Sequence, residues 1–249
     1  MEINKRNFVF EWADNVLILG QRLGEWCGHG PVLEQDIALI NTSLDLIGEA
    51  RNLYQYLSMH EGGSEDDFAL VRYENEYRNL LLVEQANGHW GVTIMRQLMF
   101  DIYHYYFLDW MSHYSRDEEL KSIAAKSLKE TKYHLKFSSE WTKRLGDGTQ
   151  ESHQKMQEAV DQLYPYFNEC FQMSEADQWA FDHGVGPDLY ELEPLATQLL
   201  KETLIEATLK WETPQYPKLG GKHGKHSEQM GYILAEMQYM QRAYPNMQW

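Results

Sequence analysis

Ten histidines lie in this chain of 249 residues, and none has a glutamate three residues before it. The spacing matters because a pair of hard divalent ions held inside a helical bundle takes a Glu from each of two helices. Each of the other two helices supplies a Glu-x-x-His pair. Two such ions need that negative charge and those oxygen and nitrogen donors. The nearest remnant is Lys129-Glu130-Thr131-Lys132-Tyr133-His134, where Thr131 takes the place of the ligand Glu. Glu130 stands about 100° away around a helix, at the edge of the stripe that carries His134. Asp101, with His104 three residues on, is a plausible ligand pair, but only one pair. The best register around residue 48 offers Asp45, Gly48 and Arg51, and a fixed guanidinium repels a metal ion. Val16-Leu17-Ile18-Leu19 offers no ligand at all.

A lone histidine on an apolar stripe is more often a hydrogen-bonded core residue than a ligand. The expectation is therefore a degenerate, metal-free site lined by Asp45, Arg51, Asp101, Thr131 and His134, with Asp101, His134 and Arg51 paired as a buried network. Such pairs add little net stability but are costly to break from one side. The alternative is a metal-dependent oxygenase active on its own, through Asp101, His104, Glu130 and His134. Other candidates are weaker. Glu202 and Glu206 share a face one turn apart, but the apolar stripe there belongs to Ala196, Leu200, Thr203, Ala207 and Trp211, which leaves the glutamates to solvent. Gly220-Gly221-Lys222-His223-Gly224-Lys225-His226-Ser227 is one residue short of a phosphate-binding loop and follows no strand. A surface turn with Ser227 as helix N-cap is the plainer reading. No specific Ser, Cys or Lys nucleophile arrangement is present.

The elements that must position these groups are helices. Three-and-four periodicity dominates and no alternating strand pattern of useful length occurs. It predicts helices over about 7–26, 33–57, 90–114 and 117–145, the last capped by Asp117. Further helices are predicted over 150–171, 189–211 and 227–244. The apolar beat of the second is read as Leu33, Ile37, Ile40, Leu44 and Ile47. Met230, Ile233, Met237, Met240 and Tyr244 form a methionine-rich seam on the last, suited to core packing or to contact between subunits. Tyr103, Tyr105, Tyr106, Phe107 and Trp110 circle the third long helix, so some of them should meet a second surface. Mostly short loops favour antiparallel neighbours in one bundle. The fold class expected is all-α, a ferritin-like four-helix bundle with additional helices, as one domain over residues 1–249.

Composition narrows the partners. A formal charge of −16, from 38 acidic against 22 basic residues, opposes binding to a nucleic-acid backbone. No run approaches the roughly 20 apolar residues of a membrane span. The N-terminus lacks a signal-peptide pattern, its apolar run being broken by Glu11, Asp14 and Asn15. Cys27 and Cys170 are too few for a disulfide scaffold. The expected location is the cytoplasm.

Several stretches taken together resemble the C subunits of bacterial phenylacetyl-CoA epoxidases. They are Arg22-Leu23-Gly24-Glu25-Trp26-Cys27-Gly28-His29, Leu33-Glu34-Gln35-Asp36-Ile37-Ala38-Leu39, Leu44 through Arg51, Asn79 through Gln85, Lys129-Glu130 with Tyr133-His134, and Ala235-Glu236-Met237-Gln238 through Trp249. Ala86, where proline is expected, is a minor departure. The resemblance implies a ferritin-like subunit that has lost its metal ligands and holds no cofactor. It pairs structurally with a homologous di-iron A subunit that binds the acyl-CoA, together with a small B subunit. A reductase with flavin and an iron–sulfur centre joins transiently and passes electrons from NADPH. Projecting the A-subunit ligand pattern puts Leu17, Gly48, Arg51, Asp101, Thr131 and His134 at the six ligand places.

Overall fold

A computed structural model describes residues 1–212, 216–245 and 247. Asn246, Gln248 and Trp249, the end of the C-terminal stretch quoted above, lie outside the described residues. The described helices are α1 (Ile3–Gly24), α2 (Leu33–Glu61), α3 (Glu65–Leu70), α4 (Leu81–Glu84), α5 (Trp90–Tyr114), α6 (Glu118–Gly146), α7 (Gln150–Phe167), α8 (Glu175–Asp182), α9 (Leu189–Glu206), α10 (Glu228–Met237) and α11 (Tyr239–Ala243). The described residues contain no strand. No described helix is long and apolar enough to cross a membrane. The chain is all-α and fits a ferritin-like bundle with added helices, and the long helices fall where the periodicity puts them.

These helices gather into two compact units. The first comprises residues 1–86 and 220–249, the second residues 87–219. In the first, α1 and α2 pack along each other. Every residue of α1 from Phe8 to Gly20 is buried, including Glu11, Asp14 and Asn15. α2 buries a face made of Gln35, Ala38, Leu39, Thr42, Ser43, Leu46, Glu49, Ala50, Leu53, Tyr54 and Leu57. That is not the expected beat: Leu33, Ile37, Leu44 and Ile47 are exposed. The close approach of α1 explains the choice. Gly20 leaves room for a neighbour, since a Cβ there would lie 2.9 Å from Ile47 Cγ1, and its carbonyl accepts a 2.7 Å hydrogen bond from Ser43 Oγ. Ser43 and Ala50 suit that close approach, and Leu39, Leu46, Leu53 and Leu57 fill the rest of the buried face.

In the second unit α5 packs against α6, α7 and α9. Asp117 caps α6 as expected, accepting from Glu119 N at 3.2 Å and Leu120 N at 3.0 Å. Thr149 with Ser152, and Ser174 with Asp177, form capping boxes at α7 and α8. α9 ends at Glu206 rather than near Trp211. Thr208 adopts a left-handed φ of 58°, and the Leu209 amide turns back to the Leu204 carbonyl at 2.9 Å. A threonine gives no sequence warning of such a stop. The last predicted helix breaks at Gln238 into α10 and α11. Met230 and Ile233 enter the core, whereas Met240 and Tyr244 are exposed. Of the aromatic run on α5, Tyr103 and Phe107 are buried and Tyr105, Tyr106 and Trp110 are half-buried.

Candidate functional site

The polar cluster expected from sequence centres on α5 and α6, inside the second unit. Asp101 is buried and accepts from Gln97 Nε2 at 2.6 Å, one turn earlier on α5. Ser138 Oγ, on α6, donates to its other oxygen at 2.7 Å. Burial pushes the Asp101 carboxyl up to about 7, against the pull of His134, Ser138 and Gln97. His104, also buried, is pushed down to about 3 by burial, with His134 adding to the shift. Thr131 and His134 are buried on the facing side of α6, and Glu130 stays at the half-exposed edge. Asp101, Thr131, His104 and His134 thus belong to one neighbourhood. Burial there favours the neutral forms of Asp101 and His104, and the chemistry it supports is retention of a proton on a buried carboxyl.

Two expected lining residues fall elsewhere. Arg51 has a side chain 66% exposed and donates through Nε to Glu65 Oε1 at 2.9 Å. It cannot belong to a buried network with Asp101 and His134. Asp45 is half-buried on α2, and Gly48 borders the same outward side. The cause is the helix face noted above: α2 turns residues 46, 49, 50 and 53 inward, so a register through 48 and 51 runs along the outside. The fold type implies two metal ions, and the donors do not fit them. Among the described residues no three His, Cys, Asp or Glu side chains converge closely enough to hold even one ion.

Sequence reading missed the first unit's buried charges. Asp14 on α1 accepts from Tyr54 Oη at 2.6 Å, from the Arg78 amide at 2.8 Å and from both terminal nitrogens of Arg72, Nη1 at 3.0 Å. The Arg72 guanidinium lies 4.3 Å and 4.1 Å from the ring centroids of Phe10 and Tyr77. Burial raises the Tyr54 phenol well above its usual value and the Tyr77 phenol to about 12. Trp12 Nε1 donates to Glu49 Oε1 at 2.5 Å.

A second cluster ties the glycine loop down. Glu84, fully buried, accepts from His226 Nδ1 at 2.8 Å, Ser227 N at 2.6 Å and Asn79 Nδ2 at 3.1 Å. His226 Nε2 donates to the Tyr77 carbonyl at 3.1 Å. A carboxylate and a carbonyl are both acceptors, so both ring nitrogens carry protons and the ring is an imidazolium. Burial opposes that charge, but Glu84 outweighs it and raises the His226 pKa. Ser227 takes the N-cap position without making a side-chain cap bond. Lys222 is buried, so of the loop's lysines only Lys225 is free to meet solvent. The only sequence signal for this cluster was the unusual run of glycines. A Cβ at Gly221 would lie 2.1 Å from the Asn79 carbonyl oxygen, which marks a close backbone approach.

Comparison with known proteins agrees with this layout. The sequence is 44% identical over 243 residues to the C subunit of 1,2-phenylacetyl-CoA epoxidase from Escherichia coli (strain K12), covering 97% of this chain and 98% of the relative. The family model described as phenylacetic acid catabolic protein matches residues 3–249, and the chain belongs to that family.

Proposed function

We propose that this chain is a non-catalytic structural subunit of a phenylacetyl-CoA epoxidase in aerobic phenylacetate degradation. It supports the di-iron catalytic A subunit beside a small B subunit, and the reductase, with its flavin, iron–sulfur centre and NADPH, docks transiently. The observation that carries the reading is end-to-end similarity to a protein named as the C subunit of such an enzyme, joined to the loss of donors where the fold would place metal. Thr131 stands at a ligand Glu's place, and Asp101 takes hydrogen bonds from Ser138 and Gln97. Asp101, Thr131 and His134 are the remaining lining of a vacated centre. The family match over residues 3–249 supports one ferritin-like domain over residues 1–249. A cytoplasmic setting is part of the proposal; among the described residues no helix is long and apolar enough to cross a membrane. The rival, an oxygenase using Asp101, His104, Glu130 and His134, is disfavoured because those donors do not converge and Glu130 sits at the edge.

The test is metal content after ferrous loading and desalting, alongside the activity of the catalytic subunit with and without this chain. Metal far below one per chain, with activity that depends on the chain, is the expected result. A value near two, the complement of a working centre, would make the chain itself the catalyst. In an assembled complex, His134→Leu should leave activity largely intact.

A further inference from the structure

Leu33, Ile37, Ile40, Leu44 and Ile47 recur on α2 at spacings of four, three, four and three. They form a seam about 21 Å long at 1.5 Å per residue. Most of it is open to solvent: Leu33 is 70% exposed, Leu44 62% and Ile37 51%, while Ile40 is half-buried and Ile47, 38% exposed, leans on Gly20 of α1. Scattered exposed leucines are ordinary, but a contiguous apolar stripe on the outside of a helix marks a contact surface. The heptad-like spacing also specifies the contact's shape. Such a seam accepts a second helix lying alongside, with knobs of one set into the holes of the other.

Gly48 is an independent observation on the same face. It borders the seam in the middle of a 29-residue helix, where glycine costs about 1 kcal/mol relative to alanine. A Cβ added there would meet nothing within 4 Å. Gly20, by contrast, is required by its neighbour Ile47 within the chain. The chain's own packing gives Gly48 no purpose, whereas close approach of a foreign helix backbone does.

Charge selects the occupant. Glu34 and Asp36 flank the seam's first turn, and the chain carries a net −16. That opposes an anionic lipid surface and disfavours a second equally acidic copy. We infer that the outer face of α2 is the docking seam for an apolar-striped helix of the partner catalytic subunit, with Lys or Arg on that helix flanking its stripe. This rests on the subunit role proposed above and adds to it the face that makes the contact.

The experiment co-expresses the full chain with the catalytic subunit of the same complex and measures co-elution and Kd. It compares wild type, the Ile37→Glu/Leu44→Glu double variant and Gly48→Leu. Because all three positions face outward, no fall in melting temperature is expected, and Gly48→Leu should raise it by a few degrees as a helix glycine is removed. Binding should weaken at least tenfold in the double variant and measurably in Gly48→Leu. A photo-crosslinking residue at Leu44 should capture the catalytic subunit, while one at Ile205, exposed on α9, should not. The crosslink result stands even if the double variant fails to fold. Wild-type affinity in the folded double variant, or a Leu44 crosslink only to a second copy, overturns the inference and leaves the subunit role standing. If wild type itself does not bind the catalytic subunit, both fall.

Discussion

The two units bury acids in opposite ways. In the first, Asp14 faces a guanidinium, a phenol and an amide, and Glu84 faces an imidazolium, so each acid lies beside a cation. In the second, Asp101 meets the donors Gln97 and Ser138 and the pull of His134, and burial still pushes it up to about 7. A buried charge is tolerable when paired and hydrogen-bonded, and otherwise it neutralises. The first pattern belongs to a scaffold whose charges are part of the architecture. The second belongs to a pocket in which burial outweighs the pull of the neighbours and favours the protonated acid. A ferritin-like bundle that has given up its metals would be left with that residue of polarity.

The largest effect should come from breaking the first pattern. Arg72→Met leaves Asp14 buried without its cation, and one-sided removal from a buried pair costs about 3–5 kcal/mol. At roughly 2–4 °C per kcal/mol for a chain of this size, melting should fall by about 6–20 °C. Denaturation of the single variant and of Arg72→Met/Asp14→Asn checks it. The double variant should be less damaged than the sum of its parts, and strict additivity would show the two residues to be uncoupled.

The second pattern predicts a pH signature. The folded pKa of Asp101 lies above its unfolded value of 3.8, so its contribution is fully present below that value and is lost as pH rises through about 7. His104, lowered to about 3, works the other way and loses its contribution as pH falls from its unfolded value of 6.5. The Asp101 effect is therefore read as the difference between wild type and Asp101→Asn. That variant should gain about 3 kcal/mol relative to wild type between pH 5 and pH 8. Parallel stability curves for the two proteins would mean that burial does not raise the Asp101 pKa.

His226 sharpens the contrast from the other unit. Its raised pKa places the stabilisation below the unfolded value of 6.5 and removes it as pH rises through the higher folded value. Amide exchange over residues 220–237, corrected for intrinsic rates, should quicken across that upper range in wild type only. His226→Gln keeps one donor for Glu84 and gives up the charge, at a cost of about 2 kcal/mol. Exchange that stays flat with pH in wild type would show a neutral ring.

Legibility followed local chemistry. α5 lies where its periodicity predicts, Trp90–Tyr114, and Asp117 announces α6. Asp101 and His134 were legible because both sit on their helices' buried faces. α2 was misread because it carries apolar residues on both sides, and the inner set is interleaved with polar ones. Periodicity counts leucines, whereas the contact with α1 selects Ser43, Ala50 and Glu49. The projected ligand places at 48 and 51 inherited that error. Asp14, Arg72, Glu84 and His226 were missed for a different reason. Their partners lie 58 and 142 residues apart in sequence, and no local spacing connects them.

The smallest expected effect tests the corrected face of α2. Arg51 and Glu65 form an exposed pair, and such pairs contribute about 0–1 kcal/mol. Arg51→Ala should therefore shift the melting temperature by no more than about 4 °C, and 1 M salt should erase even that, because exposed charges are screened at that strength. It should also leave the Asp101-dependent pH difference unchanged. Were Arg51 instead the cation of the polar core, the variant would lose several kcal/mol and raise the apparent pKa of Asp101 further. The contrast between the two units would then collapse into a single pattern of paired buried charge. A null result for Arg51→Ala beside a large one for Arg72→Met is the outcome that separates a surface arginine from a structural one.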